Sequence, residues 1–84
     1  MRTDSQDADD AHSKAISPER LIFARNFRKA RTKAKLTQRG VTKRTGFAQS
    51  WISAVETGRS NINLDNMAVL AKCVDVPLWQ LLVP

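Results

Sequence analysis

The chain has 84 residues, of which 14 are Lys or Arg and 8 are Asp or Glu, and its formal net charge is +6. This length suits one domain with a modest core, and no apolar run approaches the roughly 20 residues of a membrane span. One cysteine excludes an internal disulfide, and one Cys with one His cannot supply four zinc ligands. We expect a cytoplasmic domain without metal or cofactor, whose first candidate partner is a polyanion.

The charge is unevenly distributed along the chain. Residues 1–17 carry a net charge of −2, so residues 18–84 carry +8, and residues 19–44 contain ten basic side chains and a single acid. Residues 1–16 lack apolar periodicity and are rich in Asp, Ser and Ala, which is typical of disorder. We predict a disordered acidic N-terminal tail over 1–16 and a folded domain over 17–84. The tail is either an inert leader or a screen for the basic surface.

The first helix is predicted over about 18–34. The segment Ser17-Pro18-Glu19 combines a capping Ser, Pro at the first helical position and an acid in the first turn, all of which favour a helix start. One stripe at helical spacing contains Phe23, Phe27, Ala30, Arg31 and Ala34. A charge on an apolar stripe needs a partner. The only acid between residues 37 and 58 is Glu56, so we predict a partly buried, structural ion pair between Arg31 and Glu56.

Two short helices joined by a tight turn are predicted next, over about 38–45 and 49–56. Thr37 can cap the first of them, and Gly46 follows its last residue, where a left-handed conformation favours glycine. Gly58 lies just past the end of the second helix. The side chains expected to pack this unit are Leu36, Val41, Phe47, Ile52 and Val55.

Two more helices complete the domain. Asn63 is expected to cap a helix over about 64–74, in which Leu64, Met67, Leu70, Ala71 and Val74 recur at helical spacing. Pro77 opens a short last helix over about 78–82, which has more apolar surface than it can bury in its own domain. We predict that Leu78, Trp79, Leu82 and Val83 form a homodimer interface, since most oligomers are symmetric homodimers. The alternative is that these side chains simply close the core.

The segment 37–58 resembles the helix-turn-helix of the Cro and phage-repressor (Xre) family. The matching positions are Thr37, Gln38, Val41, Gly46, Ile52, Ser53, Val55, Glu56 and Gly58. The resemblance extends from about residue 21 to residue 82 and implies an all-α, compact five-helix repressor-like DNA-binding domain, with the Arg31–Glu56 pair in place. Three positions depart from the pattern: Gly40 replaces a helix former, Thr42 replaces a packed Ala, and Ala48 replaces a capping Ser or Thr.

The predicted DNA contacts fall into two groups. The N-terminal residues of the second helix of such a unit enter the major groove, and a Gln amide can pair with both N6 and N7 of adenine. Base contacts are therefore expected from Gln49, Ser50, Ser53 and Ala54. Backbone contacts are expected from Gln38, Arg39, Lys43, Trp51, Arg59, Ser60 and Asn61. For Gln38 the resemblance implies both a phosphate contact and a brace on the reading helix, whereas for Trp51 a packing role is an equal alternative.

These features predict a sequence-specific transcriptional regulator that binds a palindromic operator in double-stranded DNA as a homodimer. The resemblance implies a restriction–modification controller protein or a phage-type repressor, and the sequence does not separate the two. The rival hypothesis is an antitoxin or adaptor whose main role is to bind a protein partner. No catalytic constellation is recognisable, so we expect no enzymatic activity, no small-molecule ligand and no membrane contact.

Overall fold

The computed structural model describes residues 16–84, so all but the last residue of the predicted tail lies outside the described part. Within this described range, five helices follow in chain order: α1 (Pro18–Lys33), α2 (Gln38–Thr45), α3 (Gln49–Glu56), α4 (Leu64–Cys73) and α5 (Leu78–Leu81). Residues 16–84 contain no strand. The predicted all-α, five-helix architecture is confirmed. Over this same range, no helix is both long enough and apolar enough to cross a membrane.

Side-chain caps begin three of the helices. The side chains of Ser17, Thr37 and Asn63 each accept a hydrogen bond from the backbone N–H three residues further on. Such caps satisfy amides that have no partner inside the helix. Ala48 precedes α3 without any side-chain cap, as its departure from the family pattern predicted.

Left-handed backbone conformations end several helices. Gly46 has φ of +83° after α2, and Gly58 has φ of +76° after α3. Lys35 and Asp75 adopt the same region with φ of 61° and 60°, although neither is a glycine. Both follow a helix by two residues, and each precedes an apolar side chain that packs against the core. The chain therefore reverses in a similar way after α1 and after α4.

The core lies where the five helices meet. α2 packs on α3 and α4, α1 packs on α3 and α5, and α5 also contacts α4. The buried apolar side chains are Phe23, Phe27, Val41, Ile52, Val55, Ile62, Leu70, Ala71, Val74 and Leu81. The rings of Phe23 and Phe27 stack with their centroids 6.0 Å apart. Ile62, which the sequence did not single out, extends the core into the segment before α4.

Two predicted stripe positions are wrong. Leu64 is 64% exposed because it is the first residue of α4, one turn before Met67, which packs against the core. Ala34 is exposed because it is the C-cap of α1, with φ of −78° and ψ of 0°, and the chain turns away there.

The C-terminal segment is fixed on α1. The Asn26 side chain donates from Nδ2 to the carbonyl oxygens of Leu81, at 3.1 Å, and of Val83, at 2.7 Å. Leu81 is buried, and Leu78 and Leu82 pack partly against the core. Of the four residues predicted to form a dimer interface, only Trp79 and Val83 are largely exposed, at 65% and 49%.

Candidate nucleic-acid interface

A buried carboxylate joins the first three helices. Arg31 donates from Nε to Glu56 Oε2 at 2.5 Å and from Nη2 to Glu56 Oε1 at 3.0 Å, so the expected ion pair is present and bidentate. Gln38 Nε2 donates to Glu56 Oε1 at 3.1 Å, and Arg31 Nη1 donates to the carbonyl of Leu36 at 2.8 Å. We name Arg31, Gln38 and Glu56 the Glu56 cluster. Because Glu56 ends α3 and Gln38 begins α2, the cluster sets their relative position.

The turn between α2 and α3 is packed by aromatic rings. The centroids of Phe47 and Trp51 lie 4.6 Å apart, and both side chains pack partly buried against the core. Of the two roles open for Trp51, packing is therefore observed. A contact from its remaining exposed surface to DNA stays a prediction.

The start of α3 presents polar side chains to solvent. Gln49 and Ser50, the first two residues of α3, are both exposed, whereas Ser53 and Ala54 in the next turn are half-buried. The backbone carbonyl oxygen of Ala54 is already occupied, because it accepts hydrogen bonds from the exit loop. Of the four candidate base-contacting side chains, the two in the first turn of α3 are therefore the more accessible.

The exit loop, residues 57–61, folds back onto the end of α3. The amides of Arg59 and Ser60 donate to the Ala54 carbonyl at 2.9 and 3.2 Å. Arg59 Nε also donates to Thr57 Oγ1 at 3.0 Å. The side chains of Arg59 and Asn61 are exposed, while Ser60 is half-buried. The loop thus holds an exposed guanidinium next to the C-terminal end of α3.

The cations of α2 divide between solvent and protein. Arg39 and Lys43 are exposed one turn apart, whereas Arg44 Nη1 lies 3.4 Å from the carbonyl of Cys73 at the end of α4. Burial raises the pKa of the Cys73 thiol, and the positive charge of Arg44 opposes that rise. A thiol with a raised pKa is a weak nucleophile at neutral pH, which agrees with a packing role. Nowhere in residues 16–84 do three His, Cys, Asp or Glu residues group as a metal site.

The family model for the helix-turn-helix domain matches residues 22–78, which include α2, α3 and the exit loop. The chain belongs to the helix-turn-helix domain family. The uncharacterized HTH-type transcriptional regulator y4dJ of Sinorhizobium fredii is 34% identical to this chain over 65 residues, which are 77% of this chain and 84% of that protein. As a helix-turn-helix protein with relatives of this kind, the chain is a DNA-binding transcriptional regulator.

Two solved structures resemble this helix-turn-helix protein closely. The crystal structure of the hypothetical transcription factor NHTF from Neisseria has a TM-score of 0.74 and 33% identity, and the match covers 79% of this chain and 76% of that one. The restriction-modification controller protein C.AhdI from Aeromonas hydrophila has a TM-score of 0.71 and 28% identity, with 77% of this chain and 98% of that one covered. The predicted kinship with small helix-turn-helix regulators is confirmed.

Two long-range polar contacts of this helix-turn-helix protein, made by Arg20 and Asn26, were not predicted from the sequence. Arg20 Nε donates to the Gly58 carbonyl at 2.9 Å, across 38 positions of the chain. The bonds of Asn26 to the C-terminal segment span at least 55 positions. No local sequence pattern predicts such contacts. An Arg or Asn on a helix surface has the same sequence neighbours whether or not its side chain binds a carbonyl from a distant segment.

Proposed function

We propose that the chain regulates transcription as a homodimer on a palindromic operator, with the first turn of α3 in the major groove. The observation that carries this proposal is the exposure of Gln49 and Ser50 at the start of a helix whose other end is fixed by the Glu56 cluster. A helix that is anchored at its far end and presents free polar side chains at its start suits the reading of base edges. Such a regulator works on DNA in the cytoplasm and needs neither catalysis nor a bound ligand.

Backbone contacts would supply the salt-dependent part of the affinity. The exposed cations Arg39, Lys43 and Arg59 lie on α2 and on the exit loop, at the two ends of the helix-turn-helix. Gln38 uses one amide hydrogen for Glu56, and a Gln amide has two, so a second N–H remains for a phosphate oxygen. The same side chain would then both brace α3 and contact DNA.

A second copy of the chain is the proposed partner on α5. Trp79 and Val83 are exposed there beside Leu78 and Leu82, which are only partly covered by the core. Two domains related by a two-fold axis would place their α3 helices about 34 Å apart, in successive major grooves. The similarity to C.AhdI, nearly all of whose length this chain matches, favours a controller-type regulator over the other classes considered.

The test is selection of binding sites from random DNA duplexes at two salt concentrations, followed by sequencing. We expect a two-fold symmetric motif. Gln49→Ala should relax the preference at one position per half-site, because a bidentate amide–base contact discriminates by about 1–3 kcal/mol. Arg25→Ala, which removes an exposed polar side chain from α1, is the control and should leave the motif unchanged.

Two results would contradict the proposal. Salt-sensitive binding without an enriched motif would mean that the basic surface binds DNA without reading it. Recovery of one stoichiometric protein partner, with no retention of DNA, would favour the antitoxin or adaptor hypothesis.

A further inference from the structure

We infer that Arg20 is a phosphate-binding residue that acts beside Arg59 on the DNA backbone at the exit loop. This inference rests on the DNA-binding function proposed above and adds a contact from α1, a helix outside the helix-turn-helix unit. It requires that the Arg20 guanidinium lie at the loop, that its donors be available, and that its orientation be fixed before DNA arrives.

The start of α1 lies directly against the exit loop. Arg20, in the first turn of α1, donates from Nε to the Gly58 carbonyl at 2.9 Å and is half-buried. Gly58 itself is buried, and a Cβ added there would stand 2.7 Å from Cδ2 of Leu21. The loop backbone thus lies close to the Leu21 side chain, and the φ of +76° at Gly58 favours glycine there. The Arg20 guanidinium is therefore bonded to the residue that immediately precedes Arg59.

The two arginines use their donors in the same way. Arg20 donates from Nε to the Gly58 carbonyl, and Arg59 donates from Nε to Thr57 Oγ1 at 3.0 Å. The terminal nitrogens of both make no hydrogen bond to any residue from 16 to 84. Arg31 differs, because Nε and both terminal nitrogens donate within the domain. A guanidinium with two free terminal nitrogens has the fork that binds a phosphate through two parallel hydrogen bonds.

The internal bonds also fix the orientation of both side chains. An arginine already held at Nε loses less conformational freedom when it binds than one that moves freely in solvent. Among residues 16–84, the Arg31–Glu56 pair is the one ion pair, so no carboxylate of that range lies within ion-pair distance of Arg20. A positive group that is held in place and forms no ion pair within residues 16–84, next to a loop expected to contact phosphate, is suited to the same task.

The competing explanation is that Arg20 only attaches α1 to the loop, and salt dependence separates the two roles. Binding is measured on the most enriched duplex and on a random duplex, over a range of salt concentrations. Each phosphate contact contributes about 0.9 to the slope of log K against log[salt]. Arg20→Ala should reduce that slope by about 0.9 on both duplexes. Arg25→Ala is the matched control, since Arg25 is exposed on α1 about 140° around the helix from Arg20.

A second variant keeps the test decisive if Arg20→Ala destabilises the fold. Arg20→Gln retains an amide that can donate to the Gly58 carbonyl but removes the charge, and its slope should fall by the same amount. An unchanged slope in a folded Arg20→Gln protein would overturn the inference. Arg20 would then serve only to attach α1 to the exit loop. Absence of duplex binding by the unaltered protein would instead overturn the proposed function itself, and this inference with it.

Discussion

A carboxylate removed from water is destabilising unless charged or polar donors surround it. Glu56 is only 7% exposed, and it accepts three hydrogen bonds, two from Arg31 and one from Gln38. A single residue at the end of α3 thereby fixes the positions of α1 and α2. The sequence predicted the Arg31 contact, because Glu56 is the only acid available in its segment.

Removal of the Arg31 side chain should therefore strongly destabilise the fold. In Arg31→Ala the buried Glu56 carboxylate loses its charged partner, and breaking a buried pair in this way costs about 3–5 kcal/mol of unfolding free energy. Urea denaturation monitored by circular dichroism measures the change. Arg28→Ala, which removes an exposed arginine from the same helix, is the control. Equal denaturation midpoints for the two variants would show that the pair contributes nothing.

At Thr42, a substitution is expected to stabilise the fold rather than destabilise it. Its Oγ1 is buried and has no hydrogen-bond partner within residues 16–84. Thr42→Val replaces the hydroxyl by a methyl group of similar shape, so it should raise the unfolding free energy by about 1 kcal/mol. Thr42→Ser keeps the hydroxyl and should not stabilise the protein. A destabilised Thr42→Val protein in the same urea titration would indicate that the hydroxyl has a partner in solution.

At the scale of the helix, α3 is the element with the weakest start. Its N-cap is Ala48, which is exposed and has φ of −63° and ψ of 142°, an extended conformation that Ser also adopts at this position. Ala48→Ser should supply the missing acceptor and stabilise the protein by about 1 kcal/mol. Thermal unfolding followed by circular dichroism provides the measurement. Ala34→Ser, at the exposed C-cap of α1, should leave the stability unchanged.

Local signals explain why some helix ends were predicted and others missed by one residue. The predicted bounds of α2 agree with the structure because Thr37 and Gly46 mark its two ends with specific caps. The predicted bounds of α3 also agree, since the turn at Gly46 separates it from α2 and Gly58 follows its end with φ of +76°. α1, α4 and α5 each end one residue early. Val74 and Leu82 have φ near −100° and ψ near 0°, so they cap their helices rather than extend them, although both still pack against the core. An apolar pattern reports burial and does not distinguish these two cases.

Part of the candidate site could be predicted from the sequence and part could not. The exposure of Gln49, Ser50 and Arg59 follows from their places at a helix start and in a loop, both of which are local properties. The Arg20–Gly58 bond depends on how α1 packs across the exit loop, so it emerges only from the assembled fold. Sequence reasoning thus finds residues whose roles depend on local structure more readily than residues whose roles depend on packing.

At the scale of the whole molecule, the exposed side of α5 should control association. Trp79 is 65% exposed, and aromatic side chains of this size contribute strongly to interfaces. Trp79→Ala should shift sedimentation equilibrium toward the monomer and weaken operator binding by at least tenfold, because one domain then binds without its partner. Leu64→Ala removes an equally exposed apolar side chain from α4 and should change neither property. Identical association of both variants would exclude α5 as the interface.

The buried hydroxyl of Thr42 and the uncapped start of α3 bear on how long the protein persists in a cell. Proteases degrade chains mainly from their unfolded state, and 1–2 kcal/mol of stability changes abundance several-fold. Both features lie within the helix-turn-helix, and we expect the two stabilising substitutions, Thr42→Val and Ala48→Ser, to lengthen the half-life of the protein in the cell.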